Sequence, residues 1–264
     1  MGPRAAVVLR KELREILANR LLVASLSSLP AVMVATSLFI LAVYVDAERH
    51  PGIEAVARWY LPPGTALGAS AVPALLEATI RHSLGLFLVM PVFLPILIAS
   101  QSIAGEKERR TLEPLLATPV TARDLVLGKS LAAVVPAMAI TLIAFAIFAV
   151  GADVLTVGVL GRLVLSDAAF LFAVLVLSPL LSFLGNCIAV TISSRVSDPR
   201  LAQSLAGLIV MPFFGVVSLQ FAGLFELGPA AYGAMALVTL LADVALVWLA
   251  VRLFDRDRLL TRWG

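Results

Sequence analysis

Leu131–Val150 reads LAAVVPAMAITLIAFAIFAV, twenty residues without a charge and with one proline, Pro136. A run of about 20 apolar residues crosses ~30 Å of hydrocarbon as a helix, because backbone groups find no water there and must bond within their own segment. Five more such runs flank it: Leu21–Val45, Leu84–Ile103, Ala168–Thr191, Leu201–Phe221 and Ala230–Phe254. The alternating pattern of a membrane β-barrel strand is absent. The pattern predicts an all-α membrane protein with six transmembrane helices. The first run is 25 residues long, against about 7–15 for the apolar core of a signal peptide.

Composition points the same way. Of 264 residues, 61% are apolar and 14% are charged, whereas soluble domains are about 45–50% apolar and about 25% charged. A water-soluble globule of this composition could not cover its own surface. This excludes a soluble enzyme, a nucleic-acid-binding domain and a disordered chain, and makes the lipid bilayer the first partner. The single cysteine, Cys187, supports neither a disulfide framework nor a cysteine metal cluster. Two histidines, His50 and His82, are too few for most histidine metal sites.

Lys and Arg concentrate on the cytoplasmic side of membrane proteins. Sixteen of the twenty lie in the segment before span 1, the loops after spans 2 and 4, and the C-terminal end. Only Arg49, Arg58, Arg81 and Arg162 lie on the other side. This places both termini in the cytoplasm; the expected location is the cell's inner (plasma) membrane. Of the 37 charged residues, only Asp243 and Arg252 fall inside the six runs. Arg252 lies at a span end, where its side chain can snorkel to the interface.

Before span 1, residues 1–20 form a unit distinct from the transmembrane domain at 21–264. In Pro3–Asn19 the residues Ala6, Leu9, Leu13, Ile16 and Leu17 recur at helical spacing, with Arg10, Lys11, Arg14 and Glu15 mostly elsewhere. That pattern predicts a basic amphipathic helix in the cytoplasmic interface, either an anchor or a docking element for a cytoplasmic partner. Between spans 1 and 2, Asp46–Ser83 is turn-rich in its first half, with Pro51, Pro62, Pro63 and Gly64. Ala66–His82 is expected to hold a short helix along the outer surface.

The loop at 104–130 carries the most information. Gly105–Pro119 reads GEKERRTLEPLLATP. Glu106 pairs with Arg109 and Arg110 at helical spacing. Pro114 then interrupts the helix, a short helix presenting Leu115 and Leu116 follows, and Pro119 ends it. Thr121-x-x-Asp124 is similar to a capping box and would start the helix into span 3. A simple connector needs only a few residues.

This stretch, with Glu-Lys-Glu-Arg-x-Thr-Leu-Glu-x-Leu-Leu-x-x-Pro, resembles the signature loop of ABC-2 type transporter permeases. The amphipathic N-terminal helix, the six spans, the cytoplasmic termini and the chain length fit the same family. Arg110 stands where many members have Gly. The resemblance implies a permease subunit of an ATP-binding-cassette exporter that pairs with a second permease copy or a homologous permease and binds cytoplasmic ABC ATPase subunits. It makes Glu106, Glu108, Arg109, Thr111, Leu112, Glu113, Leu115 and Leu116 the ATPase-coupling residues. Ser193–Arg200 supplies a smaller contact, and Ala222–Pro229 re-enters the outer membrane face. The substrate path is implied at the dimer interface, lined by spans 1, 2 and 5.

The chain has no Gly-x-x-x-x-Gly-Lys-Ser/Thr phosphate cradle. ATP and magnesium are therefore expected in the partner subunit, with no cofactor, metal or catalytic residue in this chain. An intramembrane metalloprotease would need His-Glu-x-x-His, which is missing. The alternative is a stand-alone channel or secondary transporter, whose spans usually carry several charges or an internal repeat. Asp243, mid-span in the sixth run, is either a cation or proton site or a polar contact to another helix through Asn186 or Gln203. Pro91, Pro95 and Pro212, in spans beside the implied pathway, are candidate hinges. Phe213 stands next to Pro212, and with Phe87, Phe93 and Phe214 it suits either an apolar path for a lipid-like or amphipathic substrate or a lipid-facing surface.

Overall fold

The computed structural model describes residues 3–46, 52–61, 71–108, 122–193, 195–196, 198–221 and 228–254. Among these residues there is no strand. The helices are α1 (Pro3–Ala18), α2 (Arg20–Asp46), α3 (Ile53–Tyr60), α4 (Val72–Phe87), α5 (Val89–Glu108), α6 (Ala122–Leu160), α7 (Ala168–Phe172), α8 (Ser178–Ser193), α9 (Pro199–Phe221) and α10 (Pro229–Phe254). A 3-10 turn occupies Val164–Ser166 and a π turn Ala173–Leu177.

Six stretches are long and apolar enough to cross a membrane: Arg20–Asp46, Val72–Ser102, Leu127–Leu160, Ala168–Ser193, Pro199–Gln220 and Pro229–Trp248. The second and third extend well beyond the runs expected at 84–103 and 131–150. The expected outer-surface helix at Ala66–His82 is, from Val72 onward, the first half of the second span. It packs between α2, α6 and α9 instead of lying on the surface. Charges hid this extension in the sequence, and the structure neutralises them in pairs. Glu77 meets Arg162 at 3.1 Å and Arg81 at 3.7 Å, and the Tyr60 hydroxyl meets His82 Nδ1 at 2.7 Å. Burial pushes the Tyr60 hydroxyl up to about 12, so it stays protonated in this contact. Past residue 150, α6 carries Asp153, which is buried and accepts the Val164 backbone N–H, closing the turn after the helix.

Two breaks in the helices follow from proline. Pro91 has no N–H to give the Phe87 carbonyl, and α4 and α5 are separated there by the single residue Leu88. Pro179 has none for the Leu175 carbonyl, and the backbone widens into the π turn just before α8.

The core lies around α4 and α5. Val72–Ser102 is largely buried, while the last two spans are mostly exposed, so the second span is the centre of the bundle. Phe87 is fully buried and stacks edge-to-face on Phe148 at 4.8 Å and Phe145 at 5.8 Å, and Phe145 meets Phe170 at 6.0 Å. Phe87 is thus a core residue and not part of an open lining. Val32, Phe39, Ile143, Val154, Leu208 and Leu241 point outward and exposed, a surface that suits hydrocarbon and not water.

The most extensive helix–helix contact joins α5 to α8. It depends on Gly185, where a Cβ would overlap the Val92 carbonyl oxygen of α5. Membrane helices have no hydrophobic drive toward one another, so such close backbone approach supplies much of the packing. Gly185→Ala must push the two helices apart. We expect it to destabilise the chain by about 1–3 kcal/mol, which for a chain of this size lowers Tm by on the order of 5 °C. Gly207→Ala and Gly233→Ala meet nothing within 4 Å and should leave Tm unchanged or slightly raised. Thermal unfolding in detergent checks all three, and an unaltered Gly185→Ala would refute the close contact.

Candidate coupling site

The residues on either side of the 109–121 connection converge on α1. Lys129, near the start of α6, and Glu12, in the middle of α1, are both buried. Lys129 Nζ donates to Glu12 Oε1 at 2.9 Å and to Ser102 Oγ at 2.9 Å, and Ser102 Oγ donates to Glu12 Oε2 at 2.9 Å. Lys129 Nζ also reaches the Ser102 carbonyl at 3.5 Å. One carboxylate thus holds the last turns of α5 and the first turns of α6 against α1. Lys11 lies 3.6 Å from Glu12 and 3.3 Å from Glu15 at the exposed rim.

The sequence shapes this junction locally. The buried residues of α1 are Ala5, Val8, Glu12 and Ile16, with Leu9 and Leu13 half-buried, while Ala6 and Leu17 are exposed. The packed face is therefore rotated from the stripe of Ala6, Leu9, Leu13, Ile16 and Leu17 expected from apolar periodicity. Glu12 sits at the middle of the buried face because Lys129 draws it in. Gly128 admits α1: a Cβ there would lie 2.7 Å from the Val8 side chain and 3.0 Å from the Ala5 carbonyl. Asn19 joins α1 to α2, accepting the Leu22 N–H at 3.1 Å as an N-cap.

Burial alone would raise the Glu12 carboxyl. The Lys129 charge, the hydrogen bonds from Lys129 and Ser102, and the Lys11 charge outweigh burial and hold it below its ordinary value. A carboxyl with a lowered folded pKa contributes stability that is complete above its unfolded value and is lost as pH falls through the folded one. Removing one partner of such a pair strands the other charge away from water, at a cost of about 3–5 kcal/mol. Neither Glu12 nor Lys129 was singled out from the sequence. The available signal was an acid on the apolar stripe of α1 and a lysine at the mouth of an apolar run.

Of the residues expected to couple, Arg109, Thr111, Leu112, Glu113, Leu115 and Leu116 lie outside the described residues. Glu106 and Glu108 lie in the last turn of α5. The loop Ala222–Pro229 is described only at its end, from Gly228. Pro91 and Pro95 are buried in α5, on the helix that packs against α8. Pro212 is exposed on α9, and Phe213 beside it is half-buried. The structure therefore does not gather these four residues into one site within the chain.

Asp243 is 4% exposed, on the stripe of α10 that includes Tyr232, Ala236 and Thr239. Neither of its carboxylate oxygens has a hydrogen-bond partner among the described residues, and neither has the Asn186 Oδ1. The contacts expected with Asn186 or Gln203 are not formed. Among the described residues, no group of His, Cys, Asp and Glu could hold a metal ion.

The comparison with known proteins agrees with this architecture. Residues 6–232 match the family described as ABC-2 family transporter protein, a stretch that runs from α1 into the start of α10. No curated protein matches the chain. Six apolar membrane-length helices and a family match over most of its length show that the chain belongs to the ABC-2 family of transporter proteins.

Proposed function

We infer that this chain is the permease subunit of an ATP-binding-cassette exporter, driven by a separate cytoplasmic ATPase that docks on Gly105–Pro119. The family match supports a membrane transport component that is not itself catalytic. The single observation that supports the docking site is the position of its two ends. The connection leaves α5, the most enclosed span, and enters α6, the longest helix, and Lys129 bonds both ends to each other and to α1. A force on this connection reaches the centre of the bundle directly.

In this reading both termini and the 104–130 loop face the cytoplasm, where the ATPase binds ATP and magnesium. Glu106, Glu108 and Glu113 orient the contact, and Arg109, Thr111 and Leu112 belong to the same coupling segment. Leu115 and Leu116 bury an apolar knob that contributes roughly 3–6 kcal/mol before association costs. A second permease copy, or a homologous one, completes the pathway. The least enclosed spans are α2, α9 and α10, and of these α2 and α9 are the ones that the family resemblance sets beside the pathway. Pro212 and Phe213 lie on α9. Pro91 and Pro95 would act as a hinge inside the chain, next to the break between α4 and α5.

Two experiments test this. In a Cys187→Ala background, single cysteines at Thr118 and Thr65 are exposed to an impermeant thiol reagent on intact cells. Thr65→Cys should be labelled and Thr118→Cys protected, and the reverse pattern would invert the topology. The variant Glu108→Lys with Leu115→Ala and Leu116→Ala should insert normally and retain much less ATPase in a pull-down. Wild-type retention and hydrolysis would remove the loop from the mechanism.

A further inference from the structure

A loop that merely docked a partner would need no third anchor, yet both ends of this one are bonded to α1. The three bonds among Glu12, Ser102 and Lys129 form a closed ring at 2.9 Å each. Both oxygens of the carboxylate are engaged, on two different helices, which fixes orientation as well as distance. Beside the ring, the Gly128 backbone lies against Val8 and Ala5, so no side chain cushions α1 from α6. The ammonium is 4% exposed and the carboxylate 7%. If α1 slid along α6, or if the end of α5 swung away, the buried bonds from Lys129 to Glu12 or to Ser102 would break.

We propose that Glu12 and Lys129 are positioning residues that make α1, the end of α5 and the start of α6 a single rigid lever. Displacing the 105–119 segment then carries α1 with it, and α1 is a moving arm of the transmission, not a passive anchor. The load passes from the loop ends through the Glu12 carboxylate into α1, and through Asn19 into α2. This inference rests on the reading of 105–119 as the ATPase-docking segment.

The test uses the permease–ATPase complex in liposomes, with the nucleotide as the only ligand added. Spin labels at Val154 on α6 and Leu237 on α10, both exposed, report on the end of the bundle opposite α1. In otherwise wild-type chain carrying Cys187→Ala, ATP with vanadate should shift the distance between them. Glu12→Gln and Lys129→Met should still retain and run the ATPase but lose that shift. Lys129→Arg, which keeps the charge, should preserve it. The exchanged pair, Glu12→Lys with Lys129→Glu, should recover much of it. Glu12→Gln and Lys129→Met complexes that show the wild-type shift, even with a lowered Tm, would make the ring a structural staple only and overturn the inference. If the single variants do not fold, the exchanged pair decides, because a folded, ATPase-bound double variant without the shift contradicts the lever. A wild-type chain that retains no ATPase would instead overturn the docking reading, and this inference with it.

Discussion

A lysine ammonium shut away from water needs acceptors on every side that matters, and Lys129 finds them on two other helices. The Glu12 carboxylate and the Ser102 hydroxyl supply them at 2.9 Å. The consequence is geometric as much as energetic. Ser102 precedes the long connection and Lys129 follows it, so the hydrogen bond between them holds the two ends of the connection together. It also decides where α1 sits, and through Asn19 where α2 begins. The charge pair costs desolvation and is not there for stability alone, since apolar side chains of like volume would often serve as well or better.

The rest of the bundle explains why that position matters. The second span is enclosed by its neighbours, and its closest one, α8, approaches at Gly185 until the two backbones nearly touch. Movement of α5 is therefore movement of α8. The break at Leu88 and the prolines at 91 and 95 let the far half of the span take a different course from the near half. A lever at one end, a tight backbone contact in the middle and a weak joint near Pro91 are the parts that a conformational change in the membrane requires.

The six spans were legible because apolar length is a composition signal that survives without any knowledge of neighbours. The ends of spans 2 and 3 were not. Glu77, Arg81, His82 and Asp153 looked like loop residues until Arg162, Tyr60 and the Val164 backbone were found beside them. The packed face of α1 departs from its apolar periodicity for a related reason. Apolar periodicity turned Ala6 and Leu17 inward, but a buried carboxylate with a lysine waiting for it outweighed two apolar side chains. The loop motif carried the family in a handful of residues, and the match over 6–232 bears that resemblance out. Asp243 was legible as an anomaly, although its expected partners proved wrong, because sequence spacing says which face a residue occupies and not which neighbour arrives there.

As one lever, α1 and the start of α6 travel together. The most direct measurement is the distance between spin labels at Val7 on α1 and Leu127 on α6, both exposed. It is taken in the Cys187→Ala permease–ATPase complex without nucleotide and with ATP and vanadate. A rigid lever gives one narrow distance distribution, the same in both states. Separation of the two labels by a helical turn or more, about 5 Å, on nucleotide trapping would contradict it.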